Sequence, residues 1–550
     1  MDEEIIQLAH RGVMLAVKKG SLLLDLGKQV QEQYPHQLLA ARINGELYRL
    51  DTKLDRPGDV EFITVDSPEG YQIYRRSLCF LMIKAAYDMF PGATFMIKNS
   101  LGKGIYCEWD LGRDIRAEDV SGLEANMRKL VEADHPFVME IMEKSEATRL
   151  FKAQNAQDKI FMLRYLPHKY IEVNSLEGFH NYFNGHLVPS TGYLANFGVS
   201  LYPPGLLLHM PAGQGSLSEI EVVYKKISTV LREADDWGKY LGSQYVSDLN
   251  KKVQEGSVSE IIWLAEALHE KRVIEIADLI KARRNDLRVI LIAGPSSSGK
   301  TTFAKRLMIQ LRVNGLTPIS ISLDDYFLPR EMTPKDEKGE YDFESINALD
   351  LPLFNGQLQE LLKGDRVQLP YYSFKKGLRE VGSTVQVGLD QPIIIEGIHG
   401  LNEQLTISVA RHMKFKIYIS ALNRMGLDHH NIVATTDSRM IRRIVRDNQY
   451  RNYRAEKTIN MWSSVRRGEE RNIFPFQEEA DIMFNSALPY ELCVLRSLAE
   501  PLLKEIDQEN RAYCEAQRLL NLLSYFEPVD RETVPRNSIL REFVGGSYLP

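Results

Sequence analysis

Residues 289–302, VILIAGPSSSGKTT, restrict the possible folds of this chain more than any other stretch. The apolar run 289–292 predicts a buried strand, and a helical pattern of apolar residues follows from Phe303. Between them, residues 294–301 fit the pattern G-x-x-x-x-G-K-[ST]. Strand, glycine loop and helix form the setting in which backbone N–H groups and a helix N-terminus hold phosphate oxygens. A chance Ser/Gly-rich turn is the weaker alternative, because the strand and the helix are both indicated.

The loop predicts where a nucleoside triphosphate and its metal ion would bind. Lys300 is expected to bridge the outer phosphates, and Thr301 is expected to bind Mg²⁺. The residues that we expect to hold the triphosphate are Gly294, Ser296, Ser297, Ser298, Gly299, Lys300, Thr301 and Thr302, with Arg443 and Arg446 from a later segment.

The composition is that of a globular protein and argues against several other classes. The chain has 550 residues, 44% of them hydrophobic and 26% charged, as in an ordinary globular protein with about three or four domains. The net charge of -6 argues against bulk binding of nucleic acid, although it allows a local basic patch. The four cysteines form no C-x-x-C pair, and the sequence shows neither a secretory signal nor an apolar run near the length of a membrane span. A cytoplasmic protein is the expectation.

The second half of the chain alternates strand and helix patterns. Strands are predicted at 318–323, 392–395, 415–419 and 480–485, in addition to 289–292. Alternation of this kind predicts a parallel sheet covered on both faces, in which ligands bind at the carboxyl ends of the strands.

Two acidic residues follow predicted strands. Asp324 is placed to accept the proton of an acceptor hydroxyl, and Asp325 competes for that role. Glu396 ends an aliphatic strand and is predicted to hold Mg²⁺, with a helix N-cap acid as the alternative.

An arginine-rich helix, 437–447, is predicted to close over the triphosphate. Its sequence DSRMIRRIVRD contains Arg439, Arg442, Arg443 and Arg446. Guanidinium groups pair well with phosphate oxygens, and such a lid excludes water. The alternative is a solvated basic helix whose arginines pair with Asp437, Asp447 and Glu456.

With these elements in place, residues 287–490 resemble the uridine kinase and phosphoribulokinase family. The resemblance rests on GPSSSGKT, LDDYF, YDFESINALD, LPYYSFKKGLR, IIIEGIHGL and TDSRMIRRIVRD. It implies that Asp324 is the general base and that Glu396 is the Mg²⁺ acid. It also implies that Glu344 binds ribose hydroxyls, with Tyr372 against the base and Arg379 as the trailing arginine. Gly377 stands where the family has a base-reading histidine, which leaves the acceptor open.

In the first 66 residues, Asn44-Gly45 predicts a tight hairpin between strands at 38–43 and 46–50, and a further strand is predicted at 60–65. With this order and the pattern ARINGELYRLDTKLDRPGDVEFI, residues 1–66 resemble the TGS domain of threonyl-tRNA synthetases.

Three stretches, YRRSLCFLMIKAAYDMFPGA, GIYCEWDLGRDIRAEDVSGLEANMRKLVE and GHLVPSTGYL, make residues 67–211 resemble the editing domain of the same synthetases. Arg76 and Phe80 stand in place of its H-x-x-x-H pair, and Phe183 and Leu187 stand in place of its C-x-x-x-H pair. The resemblance therefore implies a retained fold without editing chemistry. His180 and His186 lack metal-spaced partners, so hydrogen-bonded histidines are favoured over metal ligands.

The expected organisation is a multidomain protein of α/β and α+β type. Its predicted segments are a TGS-like module (1–66), an editing-like α+β domain (67–211), a helical connector that opens with the Gly/Ser-rich run 213–218 (212–286), a parallel α/β phosphate-loop domain (287–490) and a C-terminal helical extension (491–550).

We expect an ATP- and Mg²⁺-dependent kinase that phosphorylates the 5′-hydroxyl of a nucleoside such as uridine. Lys300, Arg439 and Arg442 would stabilise charge on the moving phosphoryl group, and Arg439 would also contact the substrate. One alternative keeps the chemistry but takes a sugar phosphate or another small alcohol. Another is a nucleotide-switched RNA-binding or regulatory protein, although no N-K-x-D motif of a GTPase follows the loop. A small-molecule partner is expected and a membrane is not, while RNA binding and a homo-oligomer stay open.

Overall fold

A computed structural model of the chain describes residues 5–549 with the exception of 103, 184, 212–223, 336–338, 340 and 389. The run 213–218, with which the predicted connector opens, therefore lies outside the described residues. The chain divides into two compact units. The N-terminal unit comprises Met1–Val223 and Gly426–Ile432, and the C-terminal unit comprises Tyr224–Met425 and Val433–Pro550.

The N-terminal unit begins with a five-stranded sheet and one short helix. Its elements are β1 (Ile5–His10), β2 (Val13–Lys18), α1 (Leu23–Val30), β3 (Leu38–Ile43), β4 (Glu46–Arg49) and β5 (Gly58–Thr64). The strand order is β2-β1-β5-β3-β4. The predicted hairpin is confirmed, because Asn44 and Gly45 adopt φ of 50° and 90° between paired β3 and β4. The β1–β2 hairpin was not predicted, although its turn is also built from two residues with positive φ, Arg11 and Gly12.

The rest of the N-terminal unit packs helices against two antiparallel sheets. Its elements are α2 (Pro68–Met89), β6 (Thr94–Leu101), β7 (Gly104–Asp110), α3 (Ala117–Ala133), β8 (Val138–Glu143), α4 (Lys144–Ala153), α5 (Gln157–Tyr165), β9 (Tyr170–Leu176), β10 (Phe179–Asn181), β11 (Gly198–Tyr202) and β12 (Gly205–His209). The sheet orders are β10-β9-β8 and β11-β12-β7-β6. Helix α2 lies at the centre of this core, with Leu78, Leu81 and Met82 fully buried.

The C-terminal unit is a five-stranded parallel sheet with helices around it. Its elements are α6 (Lys225–Leu241), α7 (Val246–Gln254), α8 (Val258–Ala282), β13 (Val289–Ala293), α9 (Lys300–Val313), β14 (Ile319–Ser322), α10 (Leu351–Lys363), β15 (Arg366–Ser373), β16 (Leu378–Gln386), β17 (Ile393–Glu396), β18 (Lys414–Ser420), α11 (Thr435–Arg451), α12 (Ala455–Asn472), β19 (Ile482–Asn485), α13 (Glu491–Lys504), α14 (Tyr513–Ser524) and α15 (Arg541–Val544). The sheet order is β14-β17-β13-β18-β19, and every pairing is parallel.

All five predicted strands of this sheet are confirmed within two residues of their ends. All five residues of β13 are buried, which explains why its sequence is an unbroken apolar run. The predicted helical connector includes the 25-residue helix α8, since no glycine or proline interrupts that stretch. The antiparallel β15–β16 hairpin was not predicted.

None of the helices in the described ranges is long and apolar enough to cross a bilayer.

A buried ion pair fastens Gly426–Ile432 within the N-terminal unit. The Nζ atom of Lys159 in α5 lies 3.2 Å from Oδ2 of Asp428, and both side chains are buried. Asp428 also accepts hydrogen bonds from the backbone N–H groups of His430 and Asn431. The segment is therefore held by a buried ion pair, and removing either charge would leave the other buried at a large desolvation cost.

Replacing Asp428 with Asn should lower the free energy of unfolding by about 3–5 kcal/mol, because Lys159 would then be buried without its counter-charge. Denaturant titration measures the change. Asp236→Asn is the matched control, since its pair with Lys239 is exposed and should contribute less than about 1 kcal/mol. Equal stability losses in the two variants would contradict the role of the buried pair.

Candidate functional site

The phosphate loop follows β13 at the carboxyl edge of the sheet and leads into α9. Ser297 and Gly299 adopt φ of 59° and 86°, so the loop reverses direction in a left-handed conformation. A Cβ atom on Gly294 would lie 1.9 Å from the carbonyl oxygen of Ile419 in β18. Only glycine allows the loop to pass this close to the neighbouring strand, which accounts for the first glycine of the motif.

The loop lysine is folded back onto its own loop. Lys300 Nζ donates to the carbonyl oxygens of Gly294 and Pro295, at 3.0 and 3.2 Å. The ammonium group therefore already lies over the loop, where phosphate oxygens would approach.

Three carboxylates lie near the loop; strand position predicted two of them, Asp324 and Glu396, and the family resemblance indicated the third, Glu344. Asp324 follows β14, Glu396 ends β17, and Glu344 lies between β14 and α10. Burial is the main cause that raises the pKa of both Glu396 and Glu344; the charge of Asp324 adds to the rise, and the charge of Lys300 opposes it.

Glu396 lies on the metal side of this cluster. Its Oε1 is 3.4 Å from the hydroxyl of Thr301 and accepts a hydrogen bond from Ser322 at 3.1 Å. Burial, reinforced by Asp324, raises the pKa of Glu396 to about 7. A half-buried carboxylate beside a hydroxyl is an all-oxygen donor pair of the kind that Mg²⁺ takes while keeping several waters, so these residues fit the predicted ion.

The two neighbouring aspartates have different environments. Oδ1 of Asp325 accepts the backbone N–H of Tyr372 at 3.1 Å, and burial raises the pKa of this carboxyl group. Asp325 therefore ties the loop after β14 to β15. Within the described part of the chain, the Asp324 carboxylate makes no side-chain hydrogen bond that would occupy it in the same way.

Glu344 is pressed against α12 at a glycine. A Cβ atom on Gly468 would lie 2.2 Å from the Cβ of Glu344, so this approach requires glycine. Among the described residues, Oε2 of Glu344 is buried without a hydrogen-bond partner. Burial and the nearby Glu469 raise the pKa of Glu344 to about 7.

The two remaining acceptor-side residues are directly paired across the β15–β16 hairpin. Tyr372 is buried against Phe327 and Phe374, and its hydroxyl has no partner in the described ranges. Arg379 instead forms an ion pair with Asp350, the N-cap of α10, at 2.8 Å. The Tyr372 hydroxyl is thus buried without a partner among the described residues, whereas Arg379 has a partner within the fold.

Helix α11 packs its arginines against the phosphate loop. Arg439 is 1% exposed, donates from Nε to the carbonyl oxygen of Ser296 at 2.9 Å, and forms a two-point ion pair with Glu469 of α12. Glu469 is itself 0% exposed and accepts the backbone N–H of Ser296 at 3.1 Å. One buried ion pair therefore joins α11, α12 and the loop.

The other predicted arginines also have acidic partners. Arg442 is buried against Glu491 and lies 3.4 Å from the carbonyl oxygen of Ser297. Arg443 and Arg446 both pair with Asp447, and Arg443 also donates to the hydroxyl of Ser296 at 3.0 Å.

These contacts can be compared with the two interpretations of the arginine-rich helix, closure over the triphosphate and a solvated basic helix. The solvated alternative fails at Arg439 and Arg442, which are buried. Its predicted pairing with Asp447 is present, whereas Asp437 pairs with Arg518 of α14. Closure over a triphosphate stays a prediction.

Sequence reasoning missed three glutamates that contact the site: Glu469, Glu491 and Glu542. Oε2 of Glu542, in α15, accepts both the backbone N–H and the hydroxyl of Thr302, at 3.2 and 2.8 Å. None of the three lies in a recognisable motif, and each is far from the loop in sequence. The one local signal is Gly468, a glycine inside a helix beside Glu469.

In the N-terminal unit, aromatic side chains fill two of the four positions where the resemblance puts editing residues, those of Phe80 and Phe183. The ring centroids of Phe80 and Phe183 are 5.4 Å apart, and Phe137 lies 5.5 Å from Phe80. His180 contacts Gln154 at 3.1 Å, and His186 contacts the carbonyl oxygen of Leu47 at 3.2 Å. Both histidines thus have hydrogen-bond partners, as the sequence favoured.

Comparison with known proteins assigns the two parts of the chain to different relatives. The N-terminal region matches threonine–tRNA ligases: that of Rubrobacter xylanophilus is 31% identical over 186 residues, and that of Nitratidesulfovibrio vulgaris is 31% identical over 163. These matches cover 34% and 29% of this chain but only 29% and 25% of the ligases. The chain thus spans less than a third of the length of these relatives.

Similar solved structures were found for part of the chain. A possible uridine kinase from Bacillus stearothermophilus is 22% identical, with 39% of this chain and 98% of that chain covered and a TM-score of 0.27. A phosphoribulokinase from Rhodobacter spheroides is 20% identical, with 36% and 70% covered and a TM-score of 0.26.

The family assignment comes from the sequence of the C-terminal unit. Residues 289–491 match the model of the phosphoribulokinase/uridine kinase family, and they include the phosphate loop, Asp324, Glu396 and helix α11. Residues 289–491 are therefore a kinase domain of the phosphoribulokinase/uridine kinase family, joined in one chain to a region related to threonine–tRNA ligases.

Proposed function

We propose that this chain transfers the γ-phosphoryl group of ATP, with Mg²⁺, to the 5′-hydroxyl of a nucleoside. The observation that carries the proposal is the phosphate loop with Lys300 folded over it and with Glu396 Oε1 3.4 Å from the Thr301 hydroxyl. Phosphoryl transfer needs a triphosphate cradle, neutralisation of charge and an acid–base group at the acceptor. The loop, Lys300 and Asp324 are the groups that we assign to these three roles.

Asp324 is the proposed general base. It lies beside Glu396 and Glu344 without a side-chain hydrogen bond among the described residues, so its oxygens can receive a hydroxyl proton. Asp325 is the weaker choice, because one of its oxygens already accepts the Tyr372 N–H.

The basic residues would act on the transferred group. Lys300 needs only to turn from its two carbonyl partners to reach phosphate oxygens. Arg439 borders the loop at Ser296, and its charge is balanced by Glu469, so its first role is to hold the loop in shape. A bound Mg²⁺, held by Thr301 and Glu396, would neutralise phosphate charge.

Two polar groups without hydrogen-bond partners among the described residues support the proposal that the acceptor is a nucleoside. Glu344 Oε2 and the Tyr372 hydroxyl are both buried without partners in the described part of the chain. Buried polar atoms without partners are costly, so atoms of this kind suit a ligand that brings hydroxyls and a ring.

A phosphorylated sugar is the second candidate, and one observation favours it. Arg330 packs where a side chain on Gly377 would lie: its Nε is 3.1 Å from the position of a Cβ atom there. The position at which the related kinases have a histidine is thus occupied by a cation, which would suit an anionic acceptor.

We further propose the domain boundaries that the sequence suggested, 1–66, 67–211, 212–286, 287–490 and 491–550. Binding of RNA by the N-terminal region, and a regulatory function based on it, stay alternatives to be tested with purified protein. Retention of RNA by protein that transfers no phosphate would favour them over the kinase.

Asp324→Asn should lower kcat by about 10²–10⁴-fold and leave ATP binding nearly unchanged, because it removes the proton acceptor and leaves the phosphate loop intact. A phosphate-transfer screen over nucleosides and sugar phosphates identifies the acceptor, and kinetics with that acceptor give the measurement. Asp365→Asn, on an exposed side chain, serves as the control. Turnover close to that of the parent would exclude Asp324 as the base, and a comparable loss confined to Asp325→Asn would transfer the role to its neighbour.

Glu344→Gln should change stability in a pH-dependent way. The pKa of Glu344 in the folded protein, about 7, lies above its ordinary value, so its contribution to stability is present at low pH and lost as the pH rises through 7. Glutamine does not ionise. The variant should therefore gain stability relative to the parent between about pH 5 and 8, by at most about 3 kcal/mol.

Thermal unfolding at pH 5, 6, 7 and 8 tests this expectation. Glu360→Gln, at an exposed position on α10, controls for the loss of one negative charge. A difference between Glu344→Gln and the parent that stays constant over this range would show that the folded environment does not favour the neutral acid.

A further inference from the structure

The C-terminal extension reaches the phosphate loop from outside the family domain. Residues 538–544 lie about fifty residues beyond position 491, where the match to the kinase family ends. Ile539, Leu540 and Phe543 are fully buried, and the Phe543 ring lies 5.0 Å from the guanidinium carbon of Arg442. This segment is therefore packed into the core of the C-terminal unit.

Two side chains of the extension contact the loop directly. A Cβ atom on Gly299 would lie 2.6 Å from Cγ2 of Ile539, so the second glycine of the motif is needed for this contact as well. Glu542 accepts two hydrogen bonds from Thr302, one from the backbone N–H and one from the hydroxyl. The extension thus presents an apolar group and a carboxylate to the same turn.

The Glu542 carboxylate occupies donors that a phosphate chain would need. Gly299 is the N-cap of α9, so the Thr302 N–H belongs to the first turn, where the helix dipole and free N–H groups attract anions. An anion approaching this turn would meet a carboxylate already bound there.

We infer that Glu542 is an internal competitor for the donor nucleotide and sets its affinity. The carboxylate holds the Thr302 donors when no nucleotide is bound, and the phosphate chain binds by displacing that side chain while Ile539 and Phe543 stay in place. The inference rests on the proposed function only in taking a phosphate chain as the ligand of the loop. It makes Glu542 a residue that limits donor affinity, in contrast to the lysine and arginines that favour it.

Glu542→Gln should bind ADP and inorganic triphosphate about tenfold more tightly than the parent. Glutamine keeps the size of the side chain and removes the charge that repels phosphate. Isothermal titration of the full chain with each compound, in the presence of Mg²⁺, gives the dissociation constants. Glu532→Gln is the matched control, because Glu532 lies in the same extension but pairs with the exposed Arg536.

A second measurement separates competition from a structural cap. As a helix cap, Glu542 would stabilise α9, and its loss would lower Tm with no change in affinity. An affinity equal to the parent's, or weaker, would therefore overturn the inference whatever happens to Tm. Tighter binding by Glu542→Gln together with a larger ligand-induced rise in Tm supports it.

The kinase proposal and the Glu542 inference can fail separately. If no acceptor is phosphorylated but Glu542→Gln tightens binding of ADP and triphosphate, the proposed reaction is wrong and the inference stands. If an acceptor is phosphorylated and Glu542→Gln leaves binding unchanged, the inference is wrong and the reaction stands. If neither compound binds either protein, both are wrong.

Discussion

The buried ion pair between Arg439 and Glu469 is the interaction on which the shape of the candidate site depends. Two fully desolvated charges lose much of their attraction to the cost of leaving water, so such a pair adds little net stability. The pair nevertheless fixes one arrangement of α11 and α12, because any arrangement that separates the partners leaves a buried charge alone. Since Glu469 also accepts the Ser296 N–H, the pair fixes the position of the phosphate loop as well.

Close contact between distant segments of the chain explains the glycines around the site. Gly294 lets the loop pass the carbonyl of Ile419, Gly299 lets Ile539 approach, and Gly468 lets Glu344 reach α12. In each case the missing Cβ atom makes room for a group from a distant part of the chain. Close packing of this kind leaves the carboxylates partly desolvated, which is why the pKa values of Glu344 and Glu396 rise to about 7.

The two units differ in the side chains at the positions that the family resemblances single out. In the N-terminal unit, Phe80 and Phe183 pack against each other where the resemblance to synthetases puts polar editing residues, and the surrounding core is apolar. In the C-terminal unit, the polar cluster is intact and is further enclosed by acidic partners from α12, α13 and the C-terminal extension. The first site is thus packed with apolar side chains, whereas the second keeps its charged groups.

The sequence alone determined the parallel sheet, the phosphate loop and the positions of Asp324 and Glu396, because these depend on local patterns: apolar strands, a glycine spacing and acids at strand ends. It could not locate the partners of those residues. The sequence left a solvated basic helix open as the alternative for Arg439 and Arg442, and only α12 and α13, which bring Glu469 and Glu491 to them, exclude it. Glu542 carries no local signal at all, and only the fold carries it across 240 positions to Thr302. Local chemistry is encoded in neighbouring residues, but the choice of which charges become buried together is made by long-range packing.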